Sequence, residues 1–130
     1  MTTTFWKAHG TGNDFVIVDR PDPLTPGQVR WLCHRRFGIG GDGTLQALRA
    51  GDVAGWDGDP ELWFMDYRNA DGTVAEMCGN GLRVFARHLA RTGRIAGNEA
   101  DVATRAGVRH VTLYDNGGVS VTMGTVRVEG

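Results

Sequence analysis

The run Asn69-Ala70-Asp71-Gly72-Thr73-Val74-Ala75-Glu76-Met77-Cys78-Gly79-Asn80-Gly81 joins a tight turn to the start of a helix, with one thiol at the junction. Asn69 to Gly72 reads as a hairpin-like turn, and Thr73 to Met77 as a short return strand. From Gly79 to about Thr92 the period changes. Leu82, Phe85, Ala86, Leu89 and Ala90 recur at helical spacing, Arg83, Arg87, Arg91 and Arg94 populate the other side or the last turn, and Gly93 supplies a stop. Cys78 therefore stands before a Gly-Asn-Gly turn that opens an amphipathic helix. The unsatisfied N–H groups there create a positive field that lowers a thiol's pKa and favours the thiolate. A lone cysteine is more often a small buried apolar side chain, so this position alone points to chemistry without establishing it.

Upstream, Phe5 to Gly10 and Phe15 to Asp19 read as two strands around a Gly-Thr-Gly-Asn-Asp turn, the second rich in β-branched residues. Thr25 and Pro26 make a cap and first position for a helix running from Gln28 to Arg35, with Val29, Leu32 and Cys33 on its apolar side. Cys33 is accordingly read as core. Gly38 to Gly43 is a turn into a strand over Thr44 to Arg49 with alternating burial. Its glycines do not follow the dinucleotide fingerprint, and no P-loop lysine is present. Residues 50–60 form a surface loop before a strand over Glu61 to Arg68. In the tail, strands are expected over Asp101 to Thr104, Val108 to Tyr114 and Val119 to Met123, the last two joined by the turn Asp115-Asn116-Gly117-Gly118. The pattern is α+β, with six to eight strands and two main helices.

Composition narrows the partners. The 130 residues amount to one domain, with 41% apolar and 22% charged residues as in ordinary globular chains. Fourteen basic against 15 acidic side chains leave a formal charge of −1, and no basic stripe with interleaved aromatics suggests a nucleic acid. No apolar run is long enough for a bilayer and the N-terminus lacks a signal peptide's pattern, so a cytoplasmic protein without a membrane partner is expected. Cys33 and Cys78 form neither a disulfide framework nor a Cys-x-x-Cys pair. The 20 glycines cluster without a period, which argues for turns rather than a linker. His9, His34, His88 and His110 show no metal-ligand spacing and read as solvated or packed side chains.

Four separated motifs, in order, carry a resemblance: Phe5-Trp6-Lys7-Ala8-His9-Gly10-Thr11-Gly12-Asn13-Asp14-Phe15, Arg35-Arg36-Phe37-Gly38-Ile39-Gly40-Gly41-Asp42-Gly43, Asn69-Ala70-Asp71-Gly72, and Cys78-Gly79-Asn80-Gly81-Leu82-Arg83. With the closing Val119 to Gly124, the chain resembles the amino-terminal half of diaminopimelate epimerases over essentially its whole length. The resemblance implies a mixed or antiparallel sheet wrapped around the helix after Cys78, with the helix's positive end aimed at the active site. It implies residues 1–130 as an amino-terminal catalytic lobe, with the carboxy-terminal lobe outside this chain.

The implied reaction is inversion of an amino acid α-carbon, LL- to meso-diaminopimelate, by an isomerase that serves lysine and peptidoglycan precursor synthesis and uses no pyridoxal phosphate or metal. Two cysteines act from opposite faces in this family. Cys78 matches the first-lobe cysteine; its partner belongs to the second lobe, so the chain alone is expected to be inactive. Asn13, Asn69, Gly79 and Asn80 match substrate-contacting positions, the last two through backbone donors facing the substrate carboxylate. Departures occur at Gly43, where some members present a side-chain amide to substrate, and at Val74, where many have an acid. A small amino acid substrate, the second lobe and a homodimer are the implied partners. The alternatives are an isolated non-catalytic lobe, a split-enzyme subunit, a racemase of another amino acid, or a thiol nucleophile without a local histidine.

Overall fold

The computed structural model describes residues 4–10, 12–75 and 79–122. Seven strands form one mixed sheet in sequence order: β1 (Thr4–Gly10), β2 (Asn13–Asp19), β3 (Gly43–Arg49), β4 (Trp63–Asn69), β5 (Glu99–Thr104), β6 (Gly107–Leu113) and β7 (Val119–Thr122). Neighbours are antiparallel except β2 with β3 and β4 with β5. The two parallel joins are bridged by the helices: α1 (Pro26–Cys33) lies between β2 and β3, and α2 (Gly79–Arg91) between β4 and β5. Such a crossover is what a parallel pair needs, since a hairpin cannot supply it. The class is thus α+β.

The helix ends obey local chemistry. Thr25 caps α1 in a full capping box: its side chain accepts from the Gln28 N–H, the Gln28 side chain accepts from the Thr25 N–H, and Pro26 takes the first turn. The helix ends at Cys33, short of the Arg35 expected from sequence, because His34 is extended and its ring nitrogen accepts from the N–H groups of Arg36 and Phe37. Gly93, at φ +75°, ends α2 as expected.

Alternate residues of β2 serve two cores. Phe15 and Ile17 pack with Leu45, Ala47, Met65, Val102 and Val111 against Leu82, Val84, Phe85, Ala86 and Leu89 of α2. Val16 and Val18 pack the other way, with Leu24, Val29, Leu32 and Cys33. Cys33 is therefore core, and burial pushes its thiol up to about 11. β3 departs from the expected alternation: Gly43 to Leu48 are all buried. Its second face is covered because Gln46 anchors the chain leading into α1, donating to the carbonyls of Arg20 and Asp22 and accepting from the Leu24 N–H. The expected return strand shrinks to one bridge, Val74 with Arg68, and its end, Glu76 and Met77, lies outside the described residues. The turn between β6 and β7 forms as expected, with Gly117 at φ +87°.

Among the described residues, no helix is long and apolar enough to cross a membrane.

Candidate active site

Register brings the matched asparagines together. Phe15 pairs with Gly43, and Gly43 pairs with Asn69, so the start of β2, the start of β3 and the end of β4 share one edge of the sheet. The line continues past the strands: the Asp42 N–H donates to the Asp14 carbonyl (2.8 Å) and the Ala70 N–H to the Asp42 carbonyl (3.1 Å). Side chains alternate between faces along a strand. Asn13 thus falls on the face of Phe15 and Ile17, and Asn69 on that of Met65 and Tyr67, which is the α2 face in both cases. Sequence reading put Asn13 in a turn; it is instead the first residue of β2, paired with Gly10.

Helix α2 delivers its amino end to the same place. Just beyond its carboxyl end, Arg94 pairs with Asp19, the last residue of β2, and His88 meets Trp6, the strand neighbour of Ile17. The helix therefore runs opposite to β2. Its 13 residues span about 18 Å, which matches the length of a seven-residue strand, about 20 Å. Gly79 and Asn80 consequently open α2 near the end that carries Asn13 and Asn69. The positive end of a helix suits an anion there. Cys78, the candidate catalytic residue, lies outside the described residues.

An ion cluster behind this edge holds it still. Arg35 makes a two-pronged pair with Asp14 (both contacts 3.0 Å) and reaches Asp42 at 3.1 Å, while Lys7 contacts Asp14 at 3.0 Å and donates to the Gly40 carbonyl at 2.5 Å. Asp42 in turn accepts from the Asp14 N–H at 3.0 Å. The hydrogen bonds from Arg35 and then Lys7 hold the Asp14 carboxyl far below the usual carboxylate range. Asp14 points away from the α2 face, so the cluster fixes the strand that presents Asn13 without occupying the site. Asn69 is held from its own turn: its side-chain nitrogen donates to the Thr73 hydroxyl (3.1 Å), which donates to Asp71 (2.6 Å).

Gly43 is a point of close approach between strands. A Cβ there would stand 2.4 Å from the Arg68 carbonyl oxygen and 2.9 Å from Cε1 of Tyr67, so the position has no room for a side chain. Tyr67 went unnoticed in the sequence. The available signal was its place two residues before Asn69 in a strand, which puts both on one face.

Of the histidines, His110 bonds Asp101 (2.8 Å) and Glu99 (2.9 Å) on the surface, and these contacts raise its pKa. His88 is buried, and neither ring nitrogen has a hydrogen-bond partner among the described residues. Burial, helped by Arg94, lowers it to about 4. Among the described residues no group of three His, Cys, Asp or Glu side chains is arranged to hold a metal ion.

Comparison with known proteins gives this edge a context. The family model described as diaminopimelate epimerase matches residues 5–129. Proteins named diaminopimelate epimerase include one from Corynebacterium glutamicum, 50% identical over all of this chain and 50% of its own length. One from Streptomyces coelicolor is 52% identical over 92% of this chain and 43% of its own. The chain thus spans about half the length of the curated relatives it matches. In fold it is similar to a Bacillus anthracis phenazine biosynthesis protein of the PhzF family, with a TM-score of 0.60 at 20% identity over 93% of this chain and 40% of that one. A Clostridium difficile PhzC/PhzF protein gives 0.58 at 10% identity over 80% and 35%.

Proposed function

Because the chain belongs to the diaminopimelate epimerase family, we propose that it forms the amino-terminal lobe of a cofactor-independent epimerase converting LL- to meso-diaminopimelate. The observation that carries this reading is the convergence of Asn13, Asn69 and the start of α2 on one edge of the sheet.

In the proposal, the sheet wraps around α2 and a second lobe closes over the helix's amino end. The substrate α-carboxylate sits on the N–H groups of Gly79 and Asn80, with Asn13 and Asn69 beside it. An amino acid α-proton is very weakly acidic, so its removal depends on holding the charge that spreads onto the carboxylate, and fixed donors in a closed site do that. Inversion requires a base on one face and an acid on the other, since a single base returns the proton to the side it came from. Cys78 is one of the pair, and a cysteine of the second lobe is the other. One thiolate takes the α-proton while the opposing thiol gives its proton to the other face, and the two protonation states are exchanged after each turnover. The chain alone holds one of these groups and is inactive without its partner lobe.

The test uses the complete protein in deuterated water. LL-diaminopimelate should gain deuterium at the inverted α-carbon, and Cys78→Ala should stop both inversion and exchange. Full activity of Cys78→Ala would refute the mechanism.

A further inference from the structure

The Tyr67 ring lies over Gly43 on the α2 face, next in line to Asn69. The register puts Met65, Tyr67 and Asn69 on that face, and Tyr67 packs on the same core as Phe15 and Met65. The ring comes so close to the Gly43 backbone that no side chain fits between them. Phe15, fully buried, meets it edge-on at 5.8 Å and 79°, which fixes the ring's orientation from the core side. Tyr67 itself is only partly buried. The ring is thus held by the core and by Gly43, and its Cε1 edge leans along the strand toward the row of Phe15, Gly43 and Asn69 at the end of the sheet that carries Asn13. The Tyr67 backbone is held on both sides, paired with Leu45 of β3 and accepting at its carbonyl from the Ala75 N–H, which gives the ring a fixed base.

We propose that Tyr67 is a specificity-determining residue whose ring packs against the methylene chain of an extended amino acid substrate. This rests on the epimerase reading of the site. Polar groups at the edge and helix start hold the α-carbon's substituents, while an aromatic wall in a fixed orientation selects the length and course of the apolar chain beyond it. Gly43 is the enabling partner, because any side chain at 43 would displace the ring.

The test compares Tyr67→Phe, which keeps the ring, with Tyr67→Leu, which removes it, in the complete protein acting on LL-diaminopimelate. Tyr67→Leu should raise KM about tenfold with kcat within about twofold of the parent, the pattern of lost binding made equally in ground and transition states. Tyr67→Phe should match the parent in both. An unchanged KM in Tyr67→Leu overturns the proposal, and so does a fall in kcat alone, which would mark a merely structural role. Equal damage in Tyr67→Phe also overturns it, by pointing to the hydroxyl. Should thermal unfolding show that Tyr67→Leu is not folded, Tyr67→Met decides by the same criteria. A parent that does not turn over diaminopimelate sinks the functional reading and this proposal with it; an active parent indifferent to loss of the ring sinks this proposal alone.

Discussion

Arg94, three residues past the end of α2, pairs with Asp19 at the last position of β2. This contact orients the helix: with its carboxyl end tied to one edge of the sheet, its amino end must reach the other. Arg94 also lies over the Trp63 ring, 5.2 Å from its centre. Both partners of the ion pair keep some solvent exposure, 20% and 27%, so the Coulomb gain is screened. Asp19→Asn should therefore cost about 1 kcal/mol, and Arg94→Ala more, since it also loses the stacking on Trp63. Urea unfolding of the two single variants and the double variant measures this. Strict additivity would show that the pair contributes nothing.

Gly43→Ala should destabilise the fold by about 2 kcal/mol. The added methyl meets a backbone carbonyl 2.4 Å away as well as the Tyr67 ring, and a carbonyl inside a paired strand cannot swing aside as a flexible side chain can. Pairing Gly43→Ala with Tyr67→Ala should recover only part of the loss, because the clash with Arg68 remains. Complete recovery in chemical denaturation would show that the ring alone makes glycine necessary.

Much of this architecture was legible because its signals are local. The period of 82, 85, 86 and 89 gave α2, Thr25 with Pro26 gave the start of α1, and Asp115 to Gly118 gave the last turn. The parallel pairings were not legible, since no local pattern states that β2 lies beside β3. For the same reason the expected alternation of β3 failed: Gln46 looks solvent-facing until the segment before α1 folds across it. At the site, the motif match supplied Asn13, Asn69, Gly79 and Asn80 as names. That they share an edge follows from register through Gly43 and from the direction of α2, both long-range facts. The Arg35 cluster and Tyr67 escaped because each acts across strands distant in sequence.

His88 gives the fold a pH dependence with a definite sign. Its folded pKa, about 4, lies below the ordinary histidine value of 6.5, so the unfolded chain binds the proton first. The contribution is fully present above about pH 6.5 and is lost as pH falls toward 4. The maximum loss is about 3 kcal/mol, reached once both states are protonated. His110 acts in the opposite direction, since Asp101 and Glu99 raise its folded pKa and favour the folded state once the ring is charged. Unfolding free energies measured from pH 7 to 4 should fall less steeply in His88→Met than in the parent and more steeply in His110→Gln. A parent and His88→Met with the same slope would mean that the buried ring is hydrated or paired in solution.

The two thiols should differ sharply in reactivity. Cys33 is 4% exposed, packed among Val16, Val18, Val29 and Leu32, and pushed up to about 11, so at pH 8 it is almost wholly the inert thiol behind a closed core. Cys78 precedes the first turn of α2, where the helix field favours thiolate. Iodoacetamide at pH 8 should thus label Cys78 quickly in the folded protein and leave Cys33 until denaturant is added, as peptide mass spectrometry would show. Cys33→Ala should retain the fast phase at a small cost in stability, and Cys78→Ala should abolish it. Rapid labelling of Cys33 in the native state would mean that the core between α1 and β2 opens readily. Slow labelling of Cys78 would remove the physical basis for assigning it the proton transfer.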